Sequence, residues 1–166
     1  MNRTDKECLI GLNLIPQLTP KRAKRLFAHF ESFSAIWDAP AGRFCELFGS
    51  AVLGEAIASG RSDSAVDQEM EKAEKAGVEI VTLVDAEYPT LLREIDDPPL
   101  ALYARGRLPL DTSKAIAIVG TRRGTQYGKM VGAKLASQLA LRGISVVSGL
   151  AAGIDAAAHQ GALDVG

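Results

Sequence analysis

AIAIVGTRRGTQYGKMVGAKLASQLALRG, residues 115–143, passes from an apolar alternation through Gly120 into two arginines and then into a segment with helical texture. The first part, "AIAIVG", predicts a strand, and "TQYGKMVGAKLASQLALRG" predicts the helix that follows it. Downstream, "ISVVSG" predicts a second strand and "IDAAAHQGALDVG" a second helix. Strands alternating with helices of this length indicate a parallel sheet with crossover helices, a Rossmann-like α/β arrangement. Upstream lie a β-branched strand candidate, "VEIVTLV", and a short helix starting at the proline of "YPTLLREI". A rigid "DPP" break, a further strand, "LALYARG", and a loop over "RLPLDTSK" complete that region. A βαβα run that stops at Gly166 lacks the strands that complete a doubly wound sheet. We therefore expect a chain cut from a longer protein, its apolar sheet edges open to a strand from another copy.

The texture before Gly77 is different. In "LTPKRAKRLFAHFES", Thr19 is placed to cap a helix with Pro20 in its first turn, and Ala23, Leu26, Phe27 and Phe30 repeat on one apolar face. "FSAIWDAP" and "GRFCELFGSAVLGEAIASG" continue as helices, with Trp37, Phe44 and Phe48 as core candidates. Ser62 or Asp63 caps a helix over "SAVDQEMEKAEKAG", which Gly77 ends. The expected organisation is a small helical domain over residues 1–70 and a Rossmann-like domain, incomplete on its C-terminal side, over 71–166.

The 166 residues are 47% apolar and 23% charged, enough to bury a core. No apolar run reaches membrane-spanning length, "MNRTDKECLIGL" is not a signal peptide, and Cys8 and Cys45 read as reduced core residues, which fits a cytoplasmic protein. No metal-ligand spacing of His, Cys and carboxylates occurs. The net charge of −1 hides a gradient: residues 61–100 carry −7, and residues 101–166 carry +5. Either the last third meets an anionic partner or the charges serve solubility.

Ligands in an open parallel sheet collect at the carboxyl ends of the strands. Two glycine-rich turns fall there, "VGTRRGT" and "SGLAAGID". Arg122 stands where a dinucleotide fingerprint needs its second glycine, and the spacing does not fit a P-loop, so no nucleotide cofactor is indicated. A guanidinium beside a glycine turn suits phosphate capture, and an arginine near a positive helix end is unfavourable without an anion. Arg122, nearer the strand end than Arg123, is the favoured contact; ordinary solvated charge is the other reading. Ser148 is placed to donate to a phosphate, while Asp155 reads as the cap of the last helix with His159 one turn on. No base accompanies Ser148 to make it a nucleophile.

Taken together, "YPTLLREIDDPPLALYARG", "IAIVGTRRGTQYG" and "ISVVSGLAAGIDAAAH" resemble successive signatures of the DNA processing protein A family (DprA, also called Smf), over about residues 88–163. The resemblance implies a Rossmann-like core that binds single-stranded DNA, protects it during natural transformation and helps load the RecA recombinase, with no catalytic residue and no cofactor. It also implies a homodimer in the full-length protein. Carried over, Gly120, Thr121 and Arg122 hold a DNA phosphate, with Arg123 beside them. Ser148, Gly149 and Gly153 belong to the neighbouring wall. "IPQLTPKRAKRL" looks like a degenerate helix–hairpin–helix of a SAM-like domain, with Gln17 and Thr19 where glycines are usual. Lys21, Arg22, Lys24 and Arg25 are its candidate secondary phosphate contacts, or else a solvated basic face. An enzyme or sensor for a small nucleotide, built on a related fold, is the alternative function.

Overall fold

Polar caps set the helix starts in the N-terminal part of the chain. In this computed structural model, which describes residues 3–106 and 114–166, Thr4 and Glu7 cap each other's backbone to begin α1 (Asp5–Asn13). Thr19 and Pro20 start α2 (Pro20–His29) as the sequence predicts, the Thr19 hydroxyl oxygen accepting from Arg22 N. Serines 32, 50 and 62 cap α3 (Phe33–Asp38), α5 (Ala51–Gly60) and α6 (Asp63–Lys75), while α4 (Ala41–Phe48) starts after Pro40 and ends at Gly49. Leu9, Leu12, Ile15, Leu26, Ile36, Phe44 and Ile57 fill the space between these helices, with Trp37 and Phe48 half-buried against them.

Arg61 fastens this core from inside. Its guanidinium donates to the carbonyls of Ile36 (2.8 Å), Trp37 and Ala39 (2.7 Å), closing the end of α3, and lies 4.9 Å from the centre of the Phe44 ring. The last four carbonyls of any helix lack helical partners, so one half-buried arginine here does the work of a cap.

Strand β1 (Glu79–Thr82) is followed by α7 (Thr90–Arg93) and β2 (Ala101–Ala104). β1 and β2 pair antiparallel, with Ile80 opposite Tyr103 and Val81 opposite Leu102. The intervening segment holds one helical turn, too little for the crossover that parallel neighbours require. Ile80 and Ala101 join Ile10, Val66 and Ala73 in an apolar cluster, so this ribbon folds onto α1 and α6. The compact units are consequently Met1–Pro109 and Leu110–Gly166. The sequence reading placed the domain boundary at 70/71, a few residues before the change from helices to strands at Gly77, but that position lies within α6 and apolar contacts tie the first two strands to the helices before them. The loop expected over "RLPLDTSK" lies outside the described residues except for Lys114.

The second unit contains β3 (Ala115–Ala117), α8 (Gln126–Ala140), β4 (Ser145–Val147) and α9 (Ile154–Leu163). β3 and β4 are parallel, with Ile116 opposite Val146, as the strand–helix alternation predicts. Small residues let α8 and α9 meet closely. Ala136 and Ala158 are fully buried, and a methyl group on Gly161 would collide with the Ala133 backbone. Ile116 and Val147 of this two-stranded sheet are exposed, as is Leu135 of α8. Among the described residues, no helix is long and apolar enough to cross a membrane.

Candidate nucleic-acid interface

The carboxyl ends of β3 and β4 carry the two glycine-rich turns, and the helix that follows the second turn locks them together. Ile118 N donates to Val147 O at 3.0 Å, which extends the pairing past the end of β3, and the Ser148 hydroxyl donates to Ile118 O at 2.6 Å. Gly153 begins α9 with φ +101° and ψ −124°, a conformation that L side chains rarely adopt. It also lies hard against the carbonyls of Thr121 and Arg122, where any Cβ would collide. The next amide, Ile154 N, donates to Thr121 O at 3.3 Å.

Ile154 explains four of the other glycines. Gly120, Gly124, Gly128 and Gly132 all turn toward its side chain, and a Cβ on Gly120 would lie 2.7 Å from Ile154 Cβ. Their four-residue spacing gives an apolar slot between the first turn and α8. The sequence reading took the glycines of the first turn as room for a ligand; in the folded chain they are room for an isoleucine.

Asp155 is not the helix cap expected from its position, because Gly153 occupies the cap and makes no side-chain bond there. Asp155 is instead buried, only 5% exposed, and its carboxylate reaches the turns themselves. Oδ1 accepts from Gly120 N at 3.0 Å and Oδ2 from Gly149 N at 3.2 Å. His159 does not pair with Asp155 either; its Nε2 lies 3.3 Å from Ser148 O. Sequence reasoning missed both bridges. The available signal was an acidic residue two positions past a glycine able to start the helix alone.

Of the predicted contacts, Gly120, Thr121, Arg122, Arg123, Ser148, Gly149 and Gly153 come together at this sheet end. Thr121 Oγ1 accepts from Arg123 N at 3.2 Å, a local turn that fixes the backbone of the arginine pair. Both arginines are exposed, and neither guanidinium has a hydrogen-bond or ion-pair partner among the described residues. Thr125 caps α8 through Gly128 N, so the arginines stand just before a helix N-terminus. Two unpartnered cations beside a positive helix end repel one another and the helix dipole, and an anion relieves both repulsions. Leu150, in the second turn, is left-handed (φ +54°) and 78% exposed. The family resemblance places Leu150 in this turn but gives no sign of its left-handed backbone or its exposure.

The α2 cations belong to the other unit, and most are already engaged. Arg22 donates to Gln17 O at 2.6 Å, Lys24 to Asp96 O at 3.3 Å, and Arg25 to Leu47 O at 2.7 Å while lying over the Phe48 ring. Lys21 is exposed and has no such bond among the described residues. Among those residues, no group of three or more His, Cys, Asp or Glu gathers in a way that holds a metal ion.

This geometry has relatives. Residues 79–166, just over half of the chain, match the sequence model of the family described as DNA recombination-mediator protein A. The Smf protein of Synechocystis sp. is 38% identical over 99% of this chain and 43% of its own length. The DNA processing protein DprA of Bacillus subtilis is 39% identical over 52% of this chain and 30% of its own length. The X-ray structure of DprA from Streptococcus pneumoniae superposes with a TM-score of 0.71 at 27% identity, over 99% of this chain and 55% of that one. The chain thus spans about half or less of the length of these relatives. A family match that begins with β1 and runs through both glycine-rich turns, together with a shared arrangement of helices and parallel strands, shows that this chain belongs to the DNA recombination-mediator protein A (DprA/Smf) family.

Proposed function

We propose that this chain takes part in DNA processing for recombination by binding single-stranded DNA without catalysing a reaction on it. In this reading the protein protects incoming strands during natural transformation, hands them to RecA in the cytoplasm, and in full length works as a homodimer. The observation that carries the proposal is the pair of exposed guanidinium groups at Arg122 and Arg123, without protein partners among the described residues, on a turn whose backbone is fixed from beneath. An unpaired guanidinium carried on a fixed backbone suits a phosphate that arrives from outside, and a strand brings many of them. Thr121 keeps a hydroxyl proton to offer beside the arginines, whereas the Ser148 hydroxyl already donates to Ile118 O and is not free to donate to a phosphate as the sequence suggested; exposed Lys21 is the secondary contact best placed to stay free. The nucleotide-binding alternative needs turn N–H groups open to a phosphate, whereas those of Gly120 and Gly149 already donate to Asp155.

Competition separates the two readings. A fluorescent oligothymidylate bound to the chain should be displaced by unlabelled oligonucleotide and by raised salt, because counterion release drives phosphate contacts. Millimolar nucleoside monophosphate should displace little of it. Tighter binding of the monophosphate than of the oligonucleotide defeats the proposal.

A further inference from the structure

The buried carboxylate of Asp155 sits where a different α/β protein holds its ligand. Backbone N–H groups at the carboxyl ends of neighbouring parallel strands converge on two oxygens, the arrangement by which such folds hold phosphate. A carboxylate almost wholly removed from water is costly unless it is well hydrogen-bonded, and here the two turn amides supply that bonding. No lysine or arginine pairs with it among the described residues. Gly149 lets the carboxylate come close, since a Cβ there would lie 2.9 Å from Asp155 Oδ2.

We infer that Asp155 is a built-in occupant of the anion seat between the two turns, a specificity-determining residue that keeps small phosphate compounds out of the crevice. A phosphate entering the seat must displace the carboxylate from both amides and endure its negative charge at contact distance. Phosphate capture is thereby confined to cations on the outer surface, where a strand fits and a lone mononucleotide gains little. The inference stands whether or not Arg122 binds DNA, since it concerns only the crevice.

The test removes the occupant and offers another. Asp155→Ala and Asp155→Asn variants of the whole chain are titrated with inorganic phosphate at constant ionic strength, with chloride as the balancing anion. The amide resonances of Gly120 and Gly149 are followed by nuclear magnetic resonance. In Asp155→Ala both amides should shift together and saturate, with an apparent affinity about tenfold or more above that of the parent, because two charge-assisted bonds become available. Asp155→Asn, which still fills the seat, should gain less. If Asp155→Ala unfolds in chloride, phosphate should restore the α8 and α9 resonances. The inference is overturned if the two amides respond no more than in the parent, or if phosphate leaves an unfolded variant unfolded. Neither result bears on oligonucleotide binding, which depends on Arg122.

Discussion

Gly153→Ala should damage the second unit far more than Gly143→Ala, although both replace a glycine of positive φ. Gly143, at φ +68°, has open space where its Cβ would go, so alanine costs only the left-handed conformation, about 1–2 kcal/mol. Gly153, at φ +101°, asks alanine to hold a backbone shape costing about 1–3 kcal/mol. It also forces a methyl group into the carbonyls of Thr121 and Arg122, for about 1–3 kcal/mol more. The midpoints differ by about 2.5 kcal/mol, equivalent to about sixtyfold in the opening equilibrium. Amide hydrogen exchange of α8 and α9 reads that equilibrium directly. Protection factors should fall about sixtyfold further in Gly153→Ala than in Gly143→Ala, with the first turn moving because its carbonyls must retreat. Equal protection in the two variants would refute the claim that Gly153 is the joint between the turns.

Two predictions concern the N-terminal unit, where Trp37 is the chain's single tryptophan and donates to Asp63 at 3.2 Å, so that its fluorescence reports folding. Arg61→Ala should cost about 2–4 kcal/mol, because it strands the carbonyls that end α3. Arg61→Lys should recover only part of that, since an ammonium cannot span three acceptors; denaturant midpoints followed by Trp37 check both. Stability of this unit should also decline in acid. The backbone N–H and hydroxyl of Thr4 hold the Glu7 carboxyl below its usual range, and the Arg3 guanidinium does the same for Asp63. Burial pushes the Asp85 carboxyl up, but the backbone and hydroxyl of Thr82 and the Lys6 ammonium outweigh it and leave it lowered. All three bind protons less readily folded than unfolded, so their stabilisation is complete above about pH 4–5 and is lost as pH falls through the lowered values. A midpoint that stays constant from pH 6 to pH 3 would contradict these assignments.

How much of this was legible in the sequence depended on how local the cause was. Thr19–Pro20, Ser62 and Gly77 mark helix ends through bonds to their immediate neighbours, and the structure places them where the sequence does. The parallel pairing of β3 and β4 was likewise readable from the helix between them. The partnership of β1 and β2 with α1 and α6 was not, because a composition change at Gly77 says nothing about which surfaces Ile80 and Ala101 cover. At the candidate interface the identity of the two turns was plain, and the roles within them were not. Gly120, Gly124, Gly128 and Gly132 face Ile154, a residue far along the chain, and Asp155 bonds amides 35 and six positions before it. Such long-range contacts leave no periodicity. Arg22, Lys24 and Arg25 show the same effect in reverse: a basic run on paper becomes a set of carbonyl bonds once the chain has folded.

The measurement closest to the centre of this account is the affinity of the chain for an oligothymidylate, with and without Arg122→Ala, at several salt concentrations. Losing one phosphate contact should weaken binding to every sequence alike and flatten the salt dependence by about 0.7 in log K against log salt. If the alanine variant binds as tightly as the parent and with the same salt slope, Arg122 does not hold the strand.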